Sequence, residues 1–353
     1  MKILFDHTLF YQVYGGASKY FVMMMNSLPH GSWKATALWS CNEYVHAKNL
    51  FNYYPKKIRG QERILNLINQ PYTSYIVGKQ DYDVLHQTDF DNYFYNKLNE
   101  KPLVVTYHDA NYLTYFPQPE RVALQKKALQ RADAIIAVSE NTKKDLLKYF
   151  PVDEAKVHVI YHGIEIPKFK SIQDRRLVNC DYILYVGARA SYKNFNKFMQ
   201  AFSVYHQLYP EVKVVCTSYP FKREELELFH SLHIENSILH VPADEQGMTS
   251  LYRHALFFIY PSLYEGFGMP ILESWSNHCP VALSNASCFP EICRDAGEYF
   301  NPYSVDSMVS SMNRLTEDEE RRAKLIDLGT ERVKLFSWER CAKEHMRVYS
   351  SLM

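Results

Sequence analysis

Two glutamates, Glu265 and Glu273, are separated by seven residues in the stretch YPSLYEGFGMPILESWS (260–276). Two glycines and a proline lie between them, leading into an apolar run. Pro270 suits the first turn of a helix, where its missing N–H costs nothing. Gly266 to Met269 then form the loop entering that helix, with free N–H groups and the positive end of the dipole: an anion site. Carboxylates beside it would repel a phosphate. A carboxylate is well made, however, to accept two hydrogen bonds from a vicinal diol. A nucleotide sugar carries such diols at both ends of a pyrophosphate. Glu265 in the loop would hold the sugar, and Glu273, one turn into the helix, the ribose. On spacing alone the plainer account is better: a solvated loop glutamate and a helix-surface glutamate near a favourable dipole end.

Such a site needs elements to position it, and the chain supplies them twice. KILFD (2–6), DVLHQ (83–87), LVVTYHD (103–109), ADAIIAVSE (132–140) and KVHVIYHG (156–163) are short apolar runs between helical patterns. Among those patterns are KYFVMMMNSL and the capped segment SENTKKDLLKYF. After the polar segment IEIPKFKSIQDRRLVNC, a plausible linker, a second series follows. Its strands are YILYVG (182–187), VKVVCTS (212–218), SILHV (237–241), ALFFIYPS (255–262) and CPVALSN (279–285), with NFNKFMQAFSVYHQL as a helix and a last helix from about Trp338. This rhythm predicts an α/β fold with parallel strands in two halves. Ligands of such sheets bind at the strands' C-terminal ends.

Bulk properties narrow the function. A chain of 353 residues exceeds one ordinary core, so two domains are expected. The net charge of +1 argues against a general nucleic-acid binder. Seven scattered cysteines without a CxxC pair suggest neither a disulfide framework nor a zinc site, and a reducing cytosol is the simplest compartment. The N-terminal MKILFDHTLF lacks a signal-peptide core, and no apolar run approaches a membrane span.

The segment PSLYEGFGMPILESWSNHCPVALSNASCFPEI resembles the donor-binding segment of the family-4 retaining glycosyltransferases. Further blocks resemble the same family in the expected order: YQVYGGASKYF (11–21), VVTYHDANYL (104–113), ADAIIAVSENTKKDL (132–146), VIYHGIEI (159–166), YILYVGARASYKNF (182–195) and FSWERCAKEHMRVY (336–349). The resemblance implies the GT-B fold: two Rossmann-like domains with a cleft between them and a C-terminal helix crossing back to the first. The implied boundaries are 1–166 for the acceptor-side domain, 167–335 for the nucleotide-sugar domain and 336–353 for the helix.

The resemblance also implies roles. Arg189 and Lys193 would grip the donor pyrophosphate and stabilise charge developing on it, which can replace protonation of the leaving group. Glu265 would contact the transferred sugar and Glu273 the ribose, with the backbone of Phe267, Gly268 and Met269 completing the cradle. Gly15 and Gly16 would let backbone approach the donor phosphates through close contact and an unusual φ. His108 would lie near the reaction centre, with Asp109 orienting it. The implied reaction is metal-independent transfer of a hexose-type sugar, with retention, from a GDP- or UDP-sugar to a hydroxyl of a glycan or lipid-linked acceptor. It needs no cofactor, and closure of the cleft would limit donor hydrolysis. Surface polysaccharide or glycoconjugate synthesis would place the chain in the cytoplasm, at the cytoplasmic face of a membrane. The basic segment 56–80, with its apolar positions, would suit peripheral contact there, or form an ordinary surface helix and loop.

One departure stands out: after VKVVC this chain has TSYP where many relatives have a glycine-rich turn. Asp81–Asp83 and Asp89–Asp91 have the D-x-D spacing of metal-dependent glycosyltransferases of another fold, without the rest of that pattern. A nucleotide-sugar 2-epimerase on the same architecture and a non-catalytic nucleotide-sugar-binding subunit are the rival readings.

Overall fold

Short runs of β-branched and aromatic residues, apolar on both faces, form strands covered on both sides by helices. The computed structural model describes residues 1–166, 175–189 and 191–353. Residues 167–174 of the expected linker, and with them the start of the expected second domain, lie outside the described residues. The chain folds into two compact units. One is Met1–Gly163 with Ser337–Met353, the other Ile164–Phe336.

In the first unit the strands are β1 (Ile3–Phe5), β2 (Trp33–Ala35), β3 (Val84–Gln87), β4 (Leu103–Tyr107), β5 (Ala134–Ala137) and β6 (Val157–Val159). All pair in parallel, in the order β2-β1-β3-β4-β5-β6. The second unit contains β7 (Tyr182–Tyr185), β8 (Lys213–Cys216), β9 (Ile238–His240), β10 (Phe257–Tyr260), β11 (Val281–Ser284) and β12 (Glu298–Phe300). Its order is β12-β11-β10-β7-β8-β9, again all parallel. The second sheet therefore has the Rossmann order, reversing direction between β7 and β10. The first has the flavodoxin-like order, reversing between β1 and β3. β2 and β12 lie outside the runs read from the sequence. Both are three-residue edge strands that carry a charged residue, Lys34 and Glu298, and so lack a continuous apolar signal.

The core of the second unit is read from one helix. Phe195, Phe198, Phe202 and Tyr205 recur at three- and four-residue spacing on the helix Phe195–His206 and are all buried. They pack with Ile183, Val214, Phe229 and Met312. Each buried phenylalanine contributes about 1.5–3 kcal/mol relative to exposure.

In the first unit a polar network does comparable work. The C-terminal helix Trp338–Ser351 packs along the helix Gly16–Ser27. Between them and the sheet runs a buried chain of hydrogen bonds. Tyr349 Oη meets His86 Nδ1 at 2.6 Å, and His86 Nε2 meets Thr106 Oγ1 at 2.8 Å. Thr106 Oγ1 meets Tyr20 Oη at 3.4 Å, Tyr20 Oη meets His345 Nε2 at 2.7 Å, and His345 Nδ1 meets the Cys341 carbonyl at 2.8 Å. A carbonyl can only accept, so His345 Nδ1 donates to it and Nε2 accepts from Tyr20. The same logic carried back makes Tyr349 the donor to His86. Every group is satisfied with both imidazoles neutral. Close backbone approach completes the joint: a Cβ on Gly163 would collide with the backbone nitrogen of Trp338.

Burial holds these histidines neutral. It pulls His108 and His345 down to about 4, and His86 and His162 well below the ordinary value. A histidine whose folded pKa is depressed contributes its full stability above the unfolded value and loses it as pH falls toward the folded one. The first unit should therefore lose stability between pH 6.5 and 4, by about 2 kcal/mol at pH 5 for each of His108 and His345. Thermal melts across this window should show a steadily falling Tm; a flat Tm would contradict the neutral network.

Candidate functional site

The second sheet reverses its winding between β7 and β10, and the loops leaving these two strands carry Lys193 and Glu265. They are joined twice. The Leu263 N–H donates to the Tyr192 carbonyl at 2.8 Å, and Lys193 Nζ donates to Glu265 Oε1 at 2.6 Å. Both side chains are largely buried, with 15% and 13% exposure. The ammonium also stands over the Tyr192 and Tyr260 rings. Burial pulls the Lys193 pKa down, but Glu265 and Tyr192 outweigh it and leave the pKa raised, so the lysine stays cationic. Burial and the Glu265 carboxylate together push the Tyr260 phenol well up. Ser287 fixes the backbone of Glu265: its Oγ accepts from the Glu265 N–H at 3.1 Å and donates to the carbonyl at 2.7 Å.

The loop then enters the helix Met269–Ser276, with Pro270 in its first turn. Gly268 precedes it with φ 91°, a left-handed conformation that favours glycine. A side chain there would also press on Ile271 and Phe289. Phe267 is buried edge-on against Phe336, while Met269 is half-buried. Glu273 lies one turn in, its Oε2 accepting from the Tyr252 hydroxyl at 3.3 Å. Lys193, Glu265 and the loop 266–269 thus gather at one strand end, with Glu273 on the helix that the loop begins.

Arg189 goes elsewhere. Its Nε donates to Glu225 Oε1 at 2.5 Å, and Nη2 donates to Glu225 Oε2 and to the carbonyls of Tyr219 and Pro220 at 2.8 and 3.0 Å. Its guanidinium stands over Phe221 and Phe195. Arg189 therefore ties down the TSYP loop that departs from the glycine-rich pattern. Of its nitrogens, Nη1 is buried and has no hydrogen-bond partner among the described residues.

In the first unit His108 directly follows β4. Its ring lies edge-on to Tyr20 at 5.1 Å, and its buried Nε2 has no hydrogen-bond partner among the described residues. Asp109 Oδ1 accepts from the Asn111 N–H in the next turn. Gly15 precedes the helix Gly16–Ser27 in an extended conformation, φ 176°, and neither glycine has a left-handed φ. The expected unusual φ is therefore absent, because the chain enters this helix directly from extended backbone. Among the described residues nothing lies within 4 Å of where a Cβ on Gly16 would stand. The D-x-D acids are engaged in ion pairs. Asp81 pairs with Lys2, and Asp89 takes Arg121 Nη2 on both oxygens at 2.6 and 2.8 Å.

Sequence reasoning missed Glu225, Ser287 and Tyr252. Glu225 alone left a local trace, as an acidic residue in the first turn of the helix Arg223–Ser231. The other two act from 22 and 21 residues away in the chain.

Comparison with known proteins defines the class. Residues 14–167 match the family described as Glycosyltransferase Family 4, and residues 169–332 match Glycosyl transferases group 1. The chain belongs to these GT-B glycosyltransferases. It is 27% identical over 292 residues to the O-antigen chain mannosyltransferase B of Escherichia coli, covering 75% of this chain and 76% of that protein. It is 29% identical over 196 residues to the O-antigen chain mannosyltransferase RfbU of Salmonella typhimurium, about half of each protein (55% and 54%). The fold matches the UDP-glucose complex of Anabaena HepE with a TM-score of 0.79 at 16% identity, covering 99% of this chain and 100% of that one.

The Lys193–Glu265 pair should show energetic coupling. Removing either partner leaves a largely buried charge uncompensated, whereas removing both does not. A double-mutant cycle with Lys193→Met and Glu265→Gln, read by urea denaturation, should give a coupling energy of about 1–3 kcal/mol.

Proposed function

We propose that the chain is a retaining mannosyltransferase that moves mannose from a nucleoside-diphosphate donor to a hydroxyl of a growing surface glycan or lipid-linked saccharide, without a required metal. The observation that carries this reading is the cation–carboxylate pair at the switch point of the second sheet, followed by a glycine-bearing helix entry. The names of the relatives support mannose, and the occupied neighbour supports a nucleotide sugar.

In this reading the second unit holds the donor. The backbone N–H groups of Phe267, Gly268 and Met269 meet the diphosphate, and Lys193 neutralises the charge that develops as the sugar–phosphate bond breaks. Arg189 contributes through Nη1, its other nitrogens being committed to Glu225 and the loop carbonyls. Glu265 accepts hydrogen bonds from the sugar hydroxyls, and Glu273 from the ribose diol. The acceptor oxygen bonds to the anomeric carbon on the face the diphosphate leaves, and its proton passes to the departing phosphate. The first unit serves the acceptor. His108 is neutral at neutral pH, and its open Nε2 suits a hydrogen bond to a sugar hydroxyl. Gly15 and Gly16 leave room for the donor phosphates. Activity is expected in the cytoplasm, where nucleotide sugars are made.

Release of nucleoside diphosphate from a panel of GDP- and UDP-sugars, with and without EDTA, tests the reading. A GDP- or UDP-mannose should turn over in EDTA, and Lys193→Ala should lower kcat by about 10²–10³-fold. Glu273→Ala should chiefly raise the donor KM. Loss of turnover in EDTA would return the D-x-D acids to consideration. Absence of donor binding would favour the non-catalytic rival, and free epimerised sugar nucleotide the epimerase.

A further inference from the structure

The second unit carries a cavity of about 350 Å³ at the end of its sheet away from Lys193 and Glu265. It lies where the chain passes from the helix Phe289–Cys293 into β12, against the helix Glu319–Val333. All strands of this sheet are parallel, so the residues that lead into β12 stand at the strand ends opposite those that carry the loops after β7 and β10. Arg294, Arg321 and Lys324 line the cavity with Asp295, and Tyr299 and Leu328 complete its wall.

Arg294 holds a backbone conformation that an arginine rarely takes. Its φ is 45° and its ψ −122°, a combination that glycine adopts freely and a side chain strains. The turn around it cannot relax. The Arg294 N–H donates to the Pro290 carbonyl at 3.1 Å, and its carbonyl accepts from the Tyr299 hydroxyl at 2.7 Å. On either side Arg332 Nη2 donates to the Glu291 carbonyl at 3.0 Å, and Trp275 Nε1 donates to the Ala296 carbonyl at 3.1 Å. Strain persists only where the surroundings over-determine the backbone, and it concentrates at ligand sites. Here the strained residue is an exposed cation at the mouth of a cavity.

Charge selects the ligand. Arg321 Nε donates to Glu298 Oε2 at 2.9 Å, and Arg314 takes the other oxygen of this buried carboxylate. That bond fixes the Arg321 guanidinium and leaves its two Nη nitrogens without a hydrogen bond among the described residues. Arg294 and Lys324 make no ion pair among the described residues. Two guanidinium forks and an ammonium around one concavity suit a phosphoryl group, whose oxygens accept paired N–H donors and a point charge. The cavity is larger than a bare phosphate and of the size that takes small organic ligands. Tyr299 and Leu328 offer apolar surface to the rest of such a molecule. We infer that this cavity binds a small organic phosphomonoester, of sugar-phosphate size, by its phosphoryl group. The inference rests on this cavity alone and not on the assignment of donor or acceptor.

Calorimetric titration of the full chain with glucose 6-phosphate tests it without any activity readout. The ester should bind with a Kd below about 1 mM, inorganic phosphate more weakly, and glucose not at all. Arg294→Gly and Lys324→Ala should each weaken binding of the ester about tenfold. Arg294→Gly should do so without lowering the Tm, because glycine takes this φ without strain. Lys324→Ala should leave the Tm unchanged, its side chain being exposed. The double variant Lys193→Met/Glu265→Gln, altered at the other end of the sheet, should bind the ester like the parent. Absence of binding to the parent would overturn the inference, as would Arg294→Gly and Lys324→Ala variants that bind as the parent does. So would loss of binding in the Lys193→Met/Glu265→Gln variant, which would place the phosphoryl group at Lys193.

Discussion

The second unit is organised by one contact, the Lys193–Glu265 ion pair beside the Tyr192–Leu263 backbone bond. A parallel sheet leaves its strand ends to loops, and loops at a switch point diverge to opposite faces. Cross-linking the loops after β7 and β10 keeps the helix entry at Gly268 in register with the lysine. The pair also keeps a cation in a largely buried place where an unpaired lysine would shed its proton. In the proposed reading a donor diphosphate would compete with Glu265 for this ammonium, so binding would exchange one partner for another and would not desolvate a free ion.

The first unit solves a different problem with the same kind of chemistry. Its C-terminal helix arrives from far along the chain and must be fixed against β3, β4 and the helix Gly16–Ser27. An all-apolar joint would hold it but would tolerate rotation and sliding. The Tyr349–His86–Thr106–Tyr20–His345 relay ends on a carbonyl, which gives it one direction and one helix register. Its acid sensitivity follows from the same burial that makes it specific.

Legibility from sequence followed the range of the interactions. The central strands carry their own apolar signal and were readable, as were the Ser139 cap, which accepts from the Thr142 N–H, and Pro270 in its first turn. The edge strands β2 and β12 were not, because pairing rather than composition makes them strands. At the site, Lys193, Glu265 and the glycine loop were legible as one cluster, since they follow two strands that any Rossmann order sets side by side. Arg189 was legible as a cation after β7 but not in its direction, which Glu225 sets from 36 residues away. The loop where this chain departs from its relatives explains that direction. There Arg189 Nη2 donates to the Tyr219 and Pro220 carbonyls.

The helix Gln61–Gly78 shows why a hydrophobic pattern alone misassigns faces. Its apolar stripe would ordinarily be read as the core side and its Asn and Thr positions as the solvent side. Local geometry inverts this. After β2 the Leu38 N–H and Trp39 carbonyl point inward and are met by the Asn69 amide, while the Thr73 hydroxyl meets the side chains of Thr36 and His7. The helix is thus held by directional bonds on one face, which leaves Ile64, Leu67 and Tyr75 exposed on the other. Its position is set by bonds to the fold and not by burial of its own apolar residues.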